Sequence, residues 1–256
     1  MSGADAVLSR PDGVRIAWRR DGAADAPAVL LCSMATAALG IWDGATAALA
    51  ERYAVLRYDR RGDGDSDAGP PASHTLDTHL ADALAVLDAA GCARASVCGM
   101  AYGARVATRM ALQAPERVGR LILFDATGGP PAPEAVRATG SAQARALRDA
   151  AAIPTPRIDR RWFARRDPEG AGVSARTLAG HPAWTDGLAA IAVPTFLATG
   201  EQDPNLEGSR RMAREIPGAE LHVMPMTGHA SLLDRPDLVL RLLEQFLSAQ
   251  RSAFPT

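Results

Sequence analysis

The stretch with the clearest chemical potential is residues 99–103, Gly-Met-Ala-Tyr-Gly, which lies between a predicted strand and a predicted helix. Residues 94–98 have the composition of a short buried strand, and residues 102–113 place apolar side chains at helical spacing. Strand, two-glycine turn and helix form the context in which G-x-S-x-G presents a nucleophile above a sheet. The middle residue here is Ala101. The sequence therefore predicts a turn shaped for a nucleophile, with the nucleophile missing.

Neither reactive neighbour of this turn replaces the missing hydroxyl. Cys98 lies inside the predicted strand, where a free thiol is usually inert packing. Tyr102 directly follows Ala101, but a phenol with an ordinary pKa is a poor nucleophile at neutral pH. Any chemistry at this corner therefore needs residues from elsewhere in the chain.

Two later residues have the chain order that a nucleophile, acid and histidine triad requires. Asp203 follows a predicted strand at residues 193–199, and His229 follows a predicted strand at residues 220–224. A carboxylate on one imidazole nitrogen fixes the tautomer and stabilises the imidazolium formed on proton transfer. Each residue alone could be a helix cap or a surface loop feature, but the two in this order favour a site. Asp125, after another predicted strand, is a second candidate acid that ranks below Asp203.

The remaining pattern predicts the sheet that would position these residues. An N-terminal hairpin is expected at residues 6–9 and 14–20, around a Pro-Asp-Gly turn. Further strands are predicted at residues 28–32, 54–59, 94–98, 120–125, 193–199 and 220–224. Helices are predicted at residues 42–52, 75–90, 102–113, 132–151, 207–216 and 236–248. This alternation predicts an α/β fold whose mainly parallel sheet has helices on both faces and its site at the strand carboxyl ends.

The alternation stops after residue 125 and resumes near residue 193. The intervening stretch is rich in proline and glycine and has too few large apolar residues for a core of its own. We therefore predict one core made of residues 1–127 and 191–256, with residues 128–190 inserted as a helical lid.

Composition restricts the function classes. The 256 residues are 47% apolar with a formal charge of −1, which argues against disorder, a nucleic-acid footprint or polybasic membrane attachment. No run of 18 apolar residues and no apolar leader is present, so neither a membrane span nor a signal peptide is expected. Three cysteines without metal-type spacing favour reduced thiols in a cytoplasmic protein. We expect a small-molecule substrate and no metal or cofactor, and the oligomeric state stays open.

Several motifs together resemble the α/β-hydrolase fold and, within it, the 3-oxoadipate enol-lactonases. Residues 57–66, RYDRRGDGDS, are similar to the R-Y-D-x-R-G-x-G-x-S run of that family. Residues 39–43, LGIWD, match the start of its first sheet-covering helix, and residues 161–163, RWF, match a tripeptide of its lid. The resemblance covers nearly the whole chain and places Asp203 and His229 on the family's acid and histidine. It implies hydrolysis of a small carboxylic ester or lactone.

The resemblance also implies an oxyanion hole made of backbone N–H groups. Relatives carry H-G-x-G or N-S-L-G in the loop after the strand at residues 28–32, and here that loop is Ser-Met-Ala-Thr. The candidate donors are the N–H groups of Ala35 and Tyr102. Met34 and Thr36 replace glycine or small residues, which distorts the expected loop.

Other departures concern the pocket. Asp63 stands where the family usually has histidine, and the lid is shorter than in the lactonases. Met34, Trp162 and Phe163 are candidate pocket residues, although the two aromatic rings fit lid packing as well. Four lid arginines fit a solvated face or, if they turn inward, a carboxylate-bearing substrate: Arg160, Arg161, Arg165 and Arg166.

Three functions stay open, in this order. The first is an ester or lactone hydrolase in which Ala101 marks a serine-to-alanine variant or a naturally altered site. The second is a nucleophile-independent enzyme, of lyase or cofactor-free oxygenase type, in which His229 and Asp203 act as a general base. The third is a non-catalytic member of the fold that binds a ligand beneath the lid.

Overall fold

The computed structural model describes residues 6–129, 132–165 and 185–248. Within them, eight strands form one sheet: β1 (Ala6–Ser9), β2 (Arg15–Asp21), β3 (Ala28–Cys32), β4 (Ala54–Tyr58), β5 (Ala95–Met100), β6 (Val118–Phe124), β7 (Thr195–Gly200) and β8 (Glu220–Met224). The same residues form seven α-helices: α1 (Asp43–Leu49), α2 (Leu76–Ala89), α3 (Tyr102–Gln113), α4 (Glu134–Ala150), α5 (Leu206–Glu215), α6 (Ser231–Asp234) and α7 (Pro236–Ser248).

The sheet runs in the order β1-β2-β4-β3-β5-β6-β7-β8. The β1–β2 and β2–β4 pairs are antiparallel, and every pair from β4–β3 to β7–β8 is parallel. The hairpin turns at Gly13, whose φ of 81° lies in the region that glycine tolerates. Parallel neighbours need crossover connections, which the helices provide. The predicted α/β fold with a mainly parallel sheet is confirmed.

The sheet buries both faces, which explains the continuous apolar runs in its central strands. One face packs against α2, α3 and α5 through residues such as Leu87, Met110 and Met212. The opposite face packs against α1 and α7 through residues such as Leu49 and Leu243. Because both faces are covered, β3 reads as an unbroken apolar string rather than an alternating pattern.

Most predicted elements are observed, with shifts that have local causes. The predicted bounds of β3, α3, β8 and α7 agree with the structure. The expected strand at 193–199 begins later, at Thr195, because Pro194 has no N–H to contribute to a ladder. The helix expected at 42–52 is shorter, since a 3-10 turn at Leu39–Trp42 precedes α1.

The predicted lid is described only in part. Its expected helix at 132–151 is observed as α4, Glu134–Ala150. Residues 130–131 and 166–184, including Arg166, lie outside the described residues. The lid bounds 128–190 stay a prediction.

Candidate active site

The turn between β5 and α3 has the geometry of a nucleophile elbow. Ala101 has φ 50° and ψ −108°, a conformation that costs an L-residue about 1–3 kcal/mol. Its N–H donates to the Phe124 carbonyl at 2.9 Å. A Cβ on Gly103 would lie 2.1 Å from the Cys32 carbonyl oxygen, and a Cβ on Gly99 would lie 2.3 Å from the Gly103 oxygen. Glycine is therefore required where strand and helix cross.

The acid and the histidine meet beyond the ends of β7 and β8. His229 Nδ1 lies 2.9 Å from Asp203 Oδ2. The Asp203 side chain is fully buried, and 15% of the His229 side chain is exposed. With Nδ1 bonded to the carboxylate, Nε2 is the ring nitrogen left to exchange a proton with a ligand.

The charge balance around His229 favours its protonated form. Burial is the largest single effect and lowers the imidazole pKa, because it disfavours the charged ring. The hydrogen bond and negative charge of Asp203, with a further contribution from Asp125, outweigh burial and raise that pKa above its usual value. An imidazole that binds a proton more readily is a stronger general base once it is deprotonated.

Asn205 completes the acid side of the site and was not predicted from the sequence. Its backbone N–H and its Nδ2 both donate to Asp203 Oδ1 at 2.9 Å, and Nδ2 lies 3.4 Å from His229 Nδ1. Asn205 Oδ1 accepts from the Ala132 N–H at 2.9 Å. The Asp-x-Asn spacing, typical of a local side-chain turn, was the only signal along the chain.

Asp125, the second candidate acid, is placed differently. It is fully buried at the end of β6 and accepts from the Ser231 N–H at 2.7 Å through Oδ2. Burial and the nearby Asp203 charge raise its pKa to about 7. Asp203 forms the hydrogen bond to His229, whereas Asp125 holds the start of the helix that follows His229.

A cavity of about 1060 Å³ brings the predicted residues together. Ala101, His229, Met34, Ala35 and Tyr102 all line it. Its outer wall is one face of α4, where charged residues (Glu134, Arg137, Arg145 and Asp149) alternate with alanines and a serine. A pocket with this polar wall suits a small polar ligand held against the elbow.

The two predicted aromatic pocket residues are not among the described residues that line this cavity. Trp162 and Phe163 pack against the apolar cluster that contains Ala101 and Trp42. The Trp162 carbonyl accepts from the Ala38 N–H at 2.7 Å. Their predicted contact with a substrate stays a prediction.

The roles of Ala35 and Tyr102 as oxyanion donors stay a prediction. Tyr102 is the first residue of α3, so its N–H has no acceptor within the helix and lies at the positive end of the helix dipole. The Ala35 loop turns at Thr36, which has φ 70°. Both residues line the cavity beside Ala101.

The Tyr102 side chain contacts a buried histidine and an arginine. Its hydroxyl lies 2.7 Å from Nδ1 of the buried His79, and the Arg60 guanidinium lies 4.5 Å from its ring centre. Burial raises the pKa of Tyr102 to about 12. The phenol therefore stays neutral and is no substitute nucleophile.

Of the four lid arginines predicted as candidates, two of the three described ones are exposed. Arg160 and Arg161 are exposed, and Arg161 pairs with Asp159. Arg165 is half-buried and lies 3.5 Å from the Thr36 carbonyl oxygen. In the described residues, the arginines that reach the cavity are Arg105, Arg137 and Arg145.

Two kinds of feature are absent from the described residues. No helix in these ranges combines the length and apolar character needed to cross a membrane. Within the same ranges, no cluster of three or more His, Cys, Asp or Glu side chains could hold a metal ion.

The fold, together with the arrangement of elbow, acid and histidine, is that of one class of protein. A family model matches the same class. Residues 16–242 match the model of the Alpha/beta hydrolase family. The chain belongs to this family.

Several members of the family are similar to this chain over most of its length. The chain is 30% identical over 251 residues to a putative carbamate hydrolase, RutD, from Klebsiella pneumoniae, covering 88% of this chain and 92% of that one. Among solved structures, it is similar to the enol-lactonase from Burkholderia xenovorans, with 25% identity, a TM-score of 0.77 and coverage of 94% and 99%. A structure described as an N-acyl homoserine lactone degrading enzyme has 26% identity, a TM-score of 0.75 and coverage of 94% and 100%.

Proposed function

We propose that the site is that of a hydrolase for small carboxylic esters or lactones, altered at its nucleophile position. The observation that carries this proposal is the 2.9 Å contact between Asp203 and His229, which lines the same cavity as Ala101. The relatives are named as a putative carbamate hydrolase, an enol-lactonase and an N-acyl homoserine lactone degrading enzyme, and carbamates and lactones both contain an acyl carbon, which supports this substrate class.

With serine at position 101, the chemistry would follow the two-step acyl transfer of a triad. The hydroxyl proton would move to His229 Nε2 as oxygen attacks the acyl carbon, and the N–H groups of Ala35 and Tyr102 would stabilise the oxyanion. The leaving alkoxide would take the proton from His229, and water would then release the acid.

A second candidate uses the chain as it stands. His229, oriented by Asp203, would remove a proton from water, and the resulting hydroxide would attack the acyl carbon directly. The same base could instead remove an acidic C–H proton, as in a lyase. The hydrogen-bonded pair of His229 and Asp203 needs no hydroxyl at Ala101 for this chemistry, which supports the second candidate function.

The Ala101→Ser variant separates these functions. For the altered hydrolase, we expect turnover of p-nitrophenyl acetate, small lactones and carbamates to rise by about 10³-fold or more, because a triad without its nucleophile loses most of its rate. His229→Ala in the Ala101→Ser background should remove that gain. Ala138→Ser is the matched control, since it adds a hydroxyl to the same cavity away from the elbow.

Other outcomes favour the alternatives. If the parental chain already turns over substrate, loses this activity in His229→Ala and gains none in Ala101→Ser, the general-base enzyme is correct. Ligand binding without turnover in every variant would support the non-catalytic member of the fold and refute both enzymes.

A further inference from the structure

Helix α4 contacts the backbone of both loops that carry the acid and the histidine. A Cβ added to Gly140 would lie 2.2 Å from the Gln202 carbonyl oxygen, directly before Asp203. A Cβ added to Gly228 would lie 2.9 Å from the Ser141 Cα. Because backbone meets backbone at both places, α4 is seated against the two loops at once.

Residues 225–235, between β8 and α7, are the histidine loop, and Arg148 of α4 bonds to both sides of it. Its side chain is 1% exposed. Nη1 donates to the Met226 carbonyl at 2.8 Å, and Nη2 donates to Asp234 Oδ1 at 2.9 Å. The other Asp234 oxygen accepts from the Gly228 N–H at 2.8 Å. One guanidinium therefore closes the loop on both sides of His229.

The histidine loop is strained without such a closure. Met226 has φ 54° and Ala230 has φ 74°, so non-glycine residues in the left-handed region flank His229 on both sides. Conformations of this kind persist only where surrounding contacts over-determine them. The contacts of Arg148 are part of that surrounding structure.

The acid and histidine loops are also bonded to each other. The Gln202 N–H donates to the Thr227 carbonyl at 2.9 Å, and Gln202 Oε1 accepts from the Thr227 N–H at 3.0 Å. Displacement of the histidine loop would therefore disturb the acid loop as well, and with it the distance between the carboxylate and the imidazole.

We infer that Arg148 is a positioning residue for His229, and that α4 is a fixed brace of the site rather than an opening lid. The inference rests on the proposed role of His229 as the base. Its main test follows the imidazole itself, so it can fail or succeed independently of turnover.

The main test is the ¹H NMR signal of the His229 Nδ1–H proton, which hydrogen-bonded imidazoles show at low field. We expect the signal in the parental chain and its loss or broadening in Arg148→Met, which keeps the stem but removes the donors. Arg148→Lys should restore the signal, because an ammonium group can reach the same acceptors. If Arg148→Met does not fold, Arg148→Gln takes its place with the same expectation.

Arg61→Met is the matched control. Arg61 is equally buried and pairs with Asp12 and Asp82, but it belongs to the loop after β4. Its loss should destabilise the fold and leave the His229 signal intact. An unchanged signal in a folded Arg148 variant, or equal loss in Arg61→Met, would overturn the inference.

Turnover in the Ala101→Ser background gives a second readout. Adding Arg148→Met should lower kcat by about 10²-fold with little change in KM, since misplacing a base by about 1 Å has effects of that size. Adding Arg148→Lys should recover most of it. If Ala101→Ser itself is inactive, the proposed function fails, and the NMR measurement alone decides the role of Arg148.

Discussion

Ala101 of the elbow and His229 of the acid–histidine pair line one cavity, but different parts of the chain hold the elbow and the pair. At the elbow, backbone packs on backbone: Gly103 against Cys32, Gly99 against Gly103, and the Ala101 N–H on the Phe124 carbonyl. None of these contacts uses the side chain of residue 101. The elbow geometry is therefore independent of whether that side chain carries a hydroxyl.

The loops of the acid–histidine pair also make backbone contacts, with α4 and with each other, but side chains from separate elements add to these. Asn205 binds Asp203, Gln202 links the two loops, and Arg148 with Asp234 closes the loop around His229. A site held by backbone at its elbow can lose its nucleophile by one substitution without losing its shape. The geometry of the base depends instead on a network of side chains, and we expect a change in one member, such as Arg148, to disturb it.

The largest expected effect tests the elbow, which backbone contacts hold in place. Gly103→Ala places a Cβ against the Cys32 carbonyl, so we expect the free energy of unfolding to fall by about 3 kcal/mol. Gly44→Ala, in α1 with open space around it, should instead stabilise the fold by about 0.5–1 kcal/mol. Urea denaturation of both variants measures the difference. Equal effects would show that the elbow does not depend on this close approach.

A smaller, pH-dependent effect tests the surroundings of the acid–histidine pair. The pKa of Asp125 is raised by burial to about 7 from 3.8, so its stabilising contribution is fully present below pH 3.8 and is lost as pH rises through 7. Asp125→Asn keeps an acceptor for the Ser231 N–H and removes the charge. At pH 8 we expect the variant to be more stable than the parental chain by over ~1 kcal/mol, and at pH 4 nearly equal to it.

Unfolding experiments at pH 4, 6 and 8 measure this effect. Asp77→Asn, an exposed carboxylate paired with Arg109, serves as the control and should change stability by less than about 1 kcal/mol throughout. A stability difference at Asp125 that does not grow with pH would contradict the assignment of a destabilising buried charge.

The smallest effect concerns residue 101 itself. Ala101→Gly relieves a left-handed strain of about 1–3 kcal/mol but adds about 1 kcal/mol of unfolded-chain entropy. We therefore expect a change within about 1 kcal/mol, on the stabilising side. Ala107→Gly, at a fully buried position inside α3, should destabilise the fold by more than about 1 kcal/mol. Equal losses at both positions would indicate that Ala101 is unstrained.

The same division explains what the sequence could predict. Gly99 and Gly103 indicate a close backbone crossing, and Pro115 ends the following helix. The sequence therefore predicts the bounds of α3 directly. Asp203 and His229 were found from their order after strands. Arg148 acts on residues 78 and 86 positions away, and no local pattern marks such a contact. Asp125 was recognised as an acid, but its tie to Ser231 depends on the tertiary fold.

The methyl group of Ala101 also affects how such a protein would be detected. Fluorophosphonate reagents label hydrolases by forming a bond to the oxygen of an activated serine, and a methyl carbon offers no lone pair for that reaction. Residue 101 would therefore stay unmodified in a labelling survey, even if water were being activated beside it. An inventory of catalysts based on covalent capture would pass over this chain, whereas a substrate-depletion assay would not.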